Sequence, residues 1–260
     1  MLKYDASAFC RISSVLGQAL VILRHSKDPD WGSLAATLGE LQREADRMGM
    51  ASVVKVLLRI KEHMFETPGA SSASVQPMLS ELYNRLRDEL EEMLFLQVEA
   101  AQAPFYSQSN PLFGAVVAEQ FPSVTYEVEE AGRCLALERS TASAFHSIRC
   151  LEAGIRAIAR SLGISDPTRG AERSWGSTLK AIKAEIDRRW PANTGRMGGD
   201  ARFFDEVYGA LAGMQNPYRN ATMHLDDKYT GEEARHLMEL VRGIMGMLAN
   251  RMNERGQPQA

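Results

Sequence analysis

The amino-acid sequence predicts an all-α protein arranged as two successive helical regions. Three observations carry this. Apolar residues recur at helical intervals along most of the chain, no alternating strand pattern of useful length competes, and Pro-, Gly- and Ser-rich stretches separate the periodic segments. With 260 residues, 45% of them hydrophobic and 24% charged, the chain can build one large or two small cores and is too apolar for wholesale disorder.

The first predicted helix covers 2–23 and is stopped by the turn Lys27-Asp28-Pro29-Asp30. Trp31, Leu34, Leu38, Leu41, Ala45 and Met48 then follow the three-and-four spacing of a buried stripe. A shorter helix over 53–65 precedes Thr67-Pro68-Gly69-Ala70-Ser71-Ser72-Ala73-Ser74, which reads as a flexible loop. Val75, Met78, Leu79, Leu82, Leu86, Leu90, Met93 and Leu94 predict a long helix over about residues 75 to 102. Pro104 and Pro111 cannot continue it, so the organisational boundary is expected there, dividing 1–111 from 112–260.

In the second region, 124–162 predicts two helices or one kinked helix, and Trp175, Leu179, Ile182 and Ile186 mark another. A further helix is expected over 203–214. The last begins at a capping box, with Thr230 as the cap and Glu233 at the third helical position. Its stripe is Ala234, Leu237, Val241, Ile244, Met245, Leu248 and Met252.

Composition narrows the function classes. No apolar run is long enough to cross a bilayer and no secretory leader is visible, so a cytoplasmic protein with no membrane partner is expected. Cys10, Cys134 and Cys150 form no CxxC pair and no metal-ligand spacing, and no Gly-rich phosphate loop, HExxH or nucleophile elbow occurs. Neither a metal nor a cofactor is expected on these grounds. Net charge is −3, but 149–202 holds eleven Lys/Arg and six Asp/Glu, a local +5 that leaves −8 elsewhere. Such a stretch is commonly a solvated helix surface and would also suit a phosphate-bearing partner.

One segment gathers chemistry. Pro217-Tyr218-Arg219-Asn220-Ala221-Thr222-Met223-His224 places a guanidinium, an amide, a hydroxyl and an imidazole between two helices. Arg219 offers a planar, permanently charged fork for phosphate oxygens, and His224 can exchange a proton near neutral pH. Together they are a minimum for metal-free RNA cleavage: one group moves the proton of a ribose 2′-hydroxyl or leaving oxygen, the other stabilises the charge growing on phosphorus. Residues five apart on a straight helix point about 140° apart. Arg219 and His224 therefore converge only through a kink, a helix end or a second subunit.

This segment resembles the motif of the HEPN (higher eukaryotes and prokaryotes nucleotide-binding) superfamily, in which Arg and a polar neighbour precede His by a short spacer ahead of the last helix. Glu130 to Arg139 and Phe145 to Gly154 are similar to the opening helices of an uncharacterised bacterial HEPN-like group. The resemblance spans about residues 112 to 253 and leaves the first region unexplained. It implies a helical bundle, a homodimer with two motifs meeting in one cleft, and metal-independent endoribonuclease activity, as in toxins or phage-defence effectors with a matching antitoxin or regulator. By position, Arg219 would stabilise the phosphate, His224 would act as acid/base, and Asn220 would orient one of them. His146, Arg149, Glu152 and Arg156 recur at helical spacing upstream as a supporting set, with an ion-pair network as the alternative to catalysis. Tyr229 is a contact or modification site by this reading and a packing residue by the simpler one. The competing function is a non-catalytic RNA- or nucleotide-binding module, or a helical adaptor.

Overall fold

The computed structural model describes residues 6–25, 30–68, 70–107, 110–164, 175–191, 198–215 and 228–259. Among them every extended element is a helix, and the one β-type contact is an isolated antiparallel bridge between Met252 and Pro258. The chain divides into two compact units, Met1–Leu96 and Gln97–Ala260, each with its own apolar core. The division thus falls ahead of the Pro104–Pro111 stretch.

The first unit holds α1 (Ala6–His25), α2 (Trp31–Met48), α3 (Ala51–Glu66) and α4 (Ser72–Glu91). Each packs on its chain neighbours and α1 packs back on α4, closing a ring of four. The centres of the predicted stripes are buried, Leu34, Leu38, Leu41 and Ala45 on α2 and Val75, Leu79, Leu82 and Leu86 on α4, whereas Trp31, Met48, Met78 and Leu90 at their edges are only partly so. Asp30 caps α2 by accepting a hydrogen bond from the Ser33 amide at 3.0 Å, and Gly49, at a left-handed φ of 73°, ends it.

Two expectations fail here. The serine-rich stretch is structured: Ser71 caps α4, and its side chain and that of Ser74 each accept from the other's backbone N–H. The helix also ends at Glu91, well short of 102. Leu94, Phe95 and Leu96 continue the apolar spelling, yet all three are more than half exposed and lie beyond the helix end.

The second unit opens with α5 (Ala103–Ser107), where Pro104 sits in the first turn and so loses no intrahelical bond. Next come α6 (Ala115–Gln120) and a 3-10 turn at Pro122–Val124. The pattern over 124–162 resolves into two helices, α7 (Thr125–Ala136) and α8 (Ser140–Ser161), joined at Glu138, a non-glycine residue with φ 58°. α9 (Trp175–Arg189), α10 (Gly199–Met214) and α11 (Gly231–Ala249) complete the unit. The α9 stripe Trp175, Leu179, Ile182 and Ile186 is wholly buried.

α8 is the central element, packing on α7, α9 and α11. Small residues make this possible: Ser143, Ala144, Ser147, Gly154, Ala157 and Ala159 are all buried on it. A side chain at Gly154 would put its Cβ 2.6 Å from Leu248 Cδ1 of α11. The buried hydroxyls are satisfied locally, Ser143 donating to the Ala131 carbonyl at 2.8 Å and Ser147 to the Ser143 carbonyl at 2.9 Å.

The cap of α11 is as predicted. Thr230 Oγ1 accepts from the Glu233 amide at 3.2 Å, and Glu233 accepts from the Thr230 amide at 2.8 Å. That backbone bond, reinforced by the Thr230 hydroxyl, holds the Glu233 carboxyl below the ordinary carboxylate range. Its contribution is complete above that range and fades as pH falls through the lowered value.

After α11 the tail folds back over α8. Arg160 donates to the Glu254 carbonyl at 2.8 Å, and the Glu254 amide donates to the Gln120 carbonyl at 2.9 Å. Gly256 lies at φ 76°, and a Cβ there would meet the Ala157 oxygen and the Ser161 nitrogen, both at 2.6 Å. Gly256→Ala is therefore expected to destabilise the second unit by about 1–3 kcal/mol, the sum of left-handed strain and backbone collision. Denaturant unfolding, with hydrogen exchange over 250–259, measures it; an unchanged midpoint and unchanged tail protection would contradict this packing.

Candidate functional site

Arg219, Asn220 and His224 lie outside the described residues, which stop at Gln215 and resume at Lys228. Tyr229, five residues beyond His224 in sequence, is tied down. The Tyr229 amide donates to Thr141 Oγ1 in the first turn of α8 at 3.1 Å, and the Tyr229 ring packs partly buried against the core. This fits the packing role for Tyr229.

The supporting set separates into two groups. Glu152 and Arg156 pair with each other at 3.5 Å on an open stretch of α8, each near half exposed. A pair of that kind contributes about 0–1 kcal/mol. His146 and Arg149 instead share one carboxylate that sequence reading passed over, Glu127 of α7. His146 Nδ1 lies 2.8 Å from Glu127 Oε2, and Arg149 forms an ion pair with Oε1 at 2.9 Å. Glu127 is only 12% exposed, whereas Arg149 is 49% exposed. The carboxylate is therefore sheltered and fully engaged, while the guanidinium reaches outward and lies 5.6 Å from the Phe145 ring centroid. Phe145 and Tyr126 meet the imidazole edge-on, with centroids 5.7 and 6.4 Å away.

Helical geometry explains why these side chains converge. On α7, Glu127, Glu130 and Cys134 are three and then four residues apart and occupy one face. The tight connection at Glu138 sends α8 back antiparallel, so Ser143 meets Ala131 and His146 meets Glu127. The same turn brings His146 to Cys134. A ring nitrogen of His146, the Cys134 sulfur and a Glu130 carboxylate oxygen all lie within 4.8 Å of one another. Spacing along the chain hides this grouping, because the histidine stands twelve residues beyond the cysteine.

The electrostatics of this corner favour neutral sulfur. Burial, then the adjacent Glu130 carboxylate, raises the Cys134 thiol above its ordinary value, outweighing the opposing pull of Arg139. Burial raises Cys150 much further. Arg133 bridges Glu129 at 2.8 Å and Glu130 at 2.5 Å, capping the acidic side of the group.

Among the described residues, several cations of the 149–202 stretch pair with carboxylates on their own helices. Hydrogen bonds from Arg188 and then Arg189 hold the Glu185 carboxyl down at about 2. Lys183 pairs with Asp187 and Arg202 with Glu206. These i,i+3 and i,i+4 pairs fit the solvated-surface reading of the stretch.

No family model, curated protein or solved structure significantly matches the chain. Among the described residues no helix is long and apolar enough to cross a membrane.

The three cysteines differ enough to be ranked by reactivity. At mildly alkaline pH, iodoacetamide is expected to label exposed Cys10 first, Cys134 more slowly, and Cys150 only on unfolding. Peptide mass spectrometry over a labelling time course reads the order. Labelling of Cys150 in the folded protein at the Cys10 rate would contradict the packing of α8.

Proposed function

We propose that the chain is a metal-independent endoribonuclease of HEPN type, with Arg219 and His224 as its catalytic pair. The observation that carries this is the Arg219-Asn220-Ala221-Thr222-Met223-His224 string, directly followed by a capped last helix in an all-α unit. Arg219 would neutralise the charge growing on the phosphorane, His224 would transfer the proton, and Asn220 would orient one of the two. The wide angular separation of Arg219 and His224 on a straight helix calls for a kink, a helix end or a second subunit, and of these the resemblance implies a homodimer in which two motifs form one cleft. A cytoplasmic toxin or phage-defence effector, held in check by an antitoxin or regulator, is the setting this chemistry suits.

A second reading has its own support. His146, Arg149, Glu152 and Arg156 each contact a carboxylate or belong to an ion pair. That favours a structural network on α8 and would suit a non-catalytic RNA-binding module or helical adaptor.

Incubating the purified chain with RNA in EDTA separates the readings. The ribonuclease reading expects cleavage to cyclic phosphate or 3′-phosphate ends, reduced about 100-fold or more in both Arg219→Ala and His224→Ala. Wild-type cleavage rates in both variants would remove the assignment. Salt-sensitive RNA binding without turnover would establish the module instead.

A further inference from the structure

The corner between α7 and α8 carries more chemistry than an ion-pair network needs. Glu130 and Cys134 lie one turn apart on α7 and face His146 of α8, with one donor atom from each within 4.8 Å of the other two. Carboxylate, thiolate and imidazole are the three donor types that zinc accepts together. Donor atoms around a tetrahedral zinc stand about 3.4–3.8 Å apart, given metal–ligand bonds of about 2.0–2.3 Å. Donors that already lie within 4.8 Å of one another need only a small further approach to reach that spacing.

The surroundings point the same way. Glu127 holds His146 by Nδ1 at 2.8 Å. An ionised carboxylate only accepts, so Nδ1 carries a proton, and in the neutral ring the lone pair is on Nε2. A carboxylate behind a histidine in this way is the usual outer partner of a metal-binding imidazole. Glu127 is itself anchored, because Arg149 holds its second oxygen at 2.9 Å. The ion pair that now occupies Glu130 is replaceable, since Arg133 keeps Glu129 at 2.8 Å when Glu130 turns away. All three donors are partly exposed, which leaves a path for the ion and room for a water as fourth ligand.

We propose that Glu130, Cys134 and His146 bind one zinc ion, with Glu127 orienting His146, so that the metal clasps α7 to α8. Binding replaces the S–H bond of Cys134 with a sulfur–metal bond and releases that proton to solvent. No redox step is involved. The proposal does not rest on the ribonuclease reading: Arg219 and His224 are not among its donors, and His146, a supporting residue in that reading, serves here as a ligand.

Cobalt(II) titration of the untagged, metal-stripped full chain tests it. One equivalent is expected to give a sulfur-to-cobalt charge-transfer band with the intense visible absorption of four-coordinate cobalt, and zinc should displace both. Cys134→Ser should remove the charge-transfer band, and Cys10→Ser should leave it unchanged. Glu127→Gln should keep the band but weaken binding about 10–100-fold. Circular dichroism checks that each variant is folded. Should Cys134→Ser fail to fold, wild-type protein decides, because zinc must slow alkylation of Cys134 at least tenfold without slowing that of Cys10. Absence of the charge-transfer band in the wild type, its survival in folded Cys134→Ser, or unprotected Cys134 would overturn the site.

Discussion

The second unit depends on how closely α8 can be approached. A helix packed on α7, α9 and α11 must be thin on its inner faces, and α8 achieves this with Ser, Ala and Gly where a core helix would ordinarily carry Leu or Ile. The gap at Gly154 accepts Leu248 of α11, and its neighbours Ile155 and Ile158 supply the bulk that a thin helix would otherwise lack. Farther along, the backbone of Ala157 and Ser161 meets the returning tail at Gly256. Close packing at these points leaves little freedom for the helix to slide or rotate. Side chains at its outer end, His146 and Arg149 among them, inherit that fixed register.

That register explains why the polar corner is ordered although much of it faces water. Ion pairs between long exposed side chains are weak because holding both ends costs rotamer entropy. Glu127 avoids most of that cost. It is sheltered, its helix is fixed by the Ser143–Ala131 hydrogen bond and the buried Val128 and Ala131, and its two oxygens face two different donors on α8. The Glu152–Arg156 pair, a little farther along the same helix, has no such backing and is a surface pair of ordinary kind. Similar residue types at similar spacing therefore end in different roles, decided by what the neighbouring helix offers.

Much of the fold was legible because periodic burial is a local property. The stripes of α2, α9 and α11 and the Thr230–Glu233 cap could be read directly, since each depends on residues three or four apart. Legibility ended where the outcome depends on a partner. Leu94, Phe95 and Leu96 spell a continued helix, but no facing core takes them up. Ser71 to Ser74 look like a linker by composition, although their hydroxyls serve as a cap. The candidate site shows the same limit more sharply. His146 and Arg149 could be singled out on α8, whereas Glu127 and Cys134 acquire meaning only after the chain reverses at Glu138, a turn with no Gly or Pro to announce it.

The chain that follows the proposed catalytic segment and the proposed metal site both meet α8. The motif from Arg219 to His224 is followed by Tyr229, whose amide is fastened to Thr141, and Thr141 lies little more than one turn before His146 on the same helix. Whatever fixes the start of α8 against α7 therefore also fixes the point, at Tyr229, where the chain enters α11. The Glu127 bridge does this with charge, and a metal on Cys134 and His146 would do it with coordinate bonds, which salt does not screen. Such an ion would act as a brace between the two helices. A metal-independent reaction and a metal-braced fold are compatible on these grounds, because the donors of the brace and the residues of the motif are different side chains.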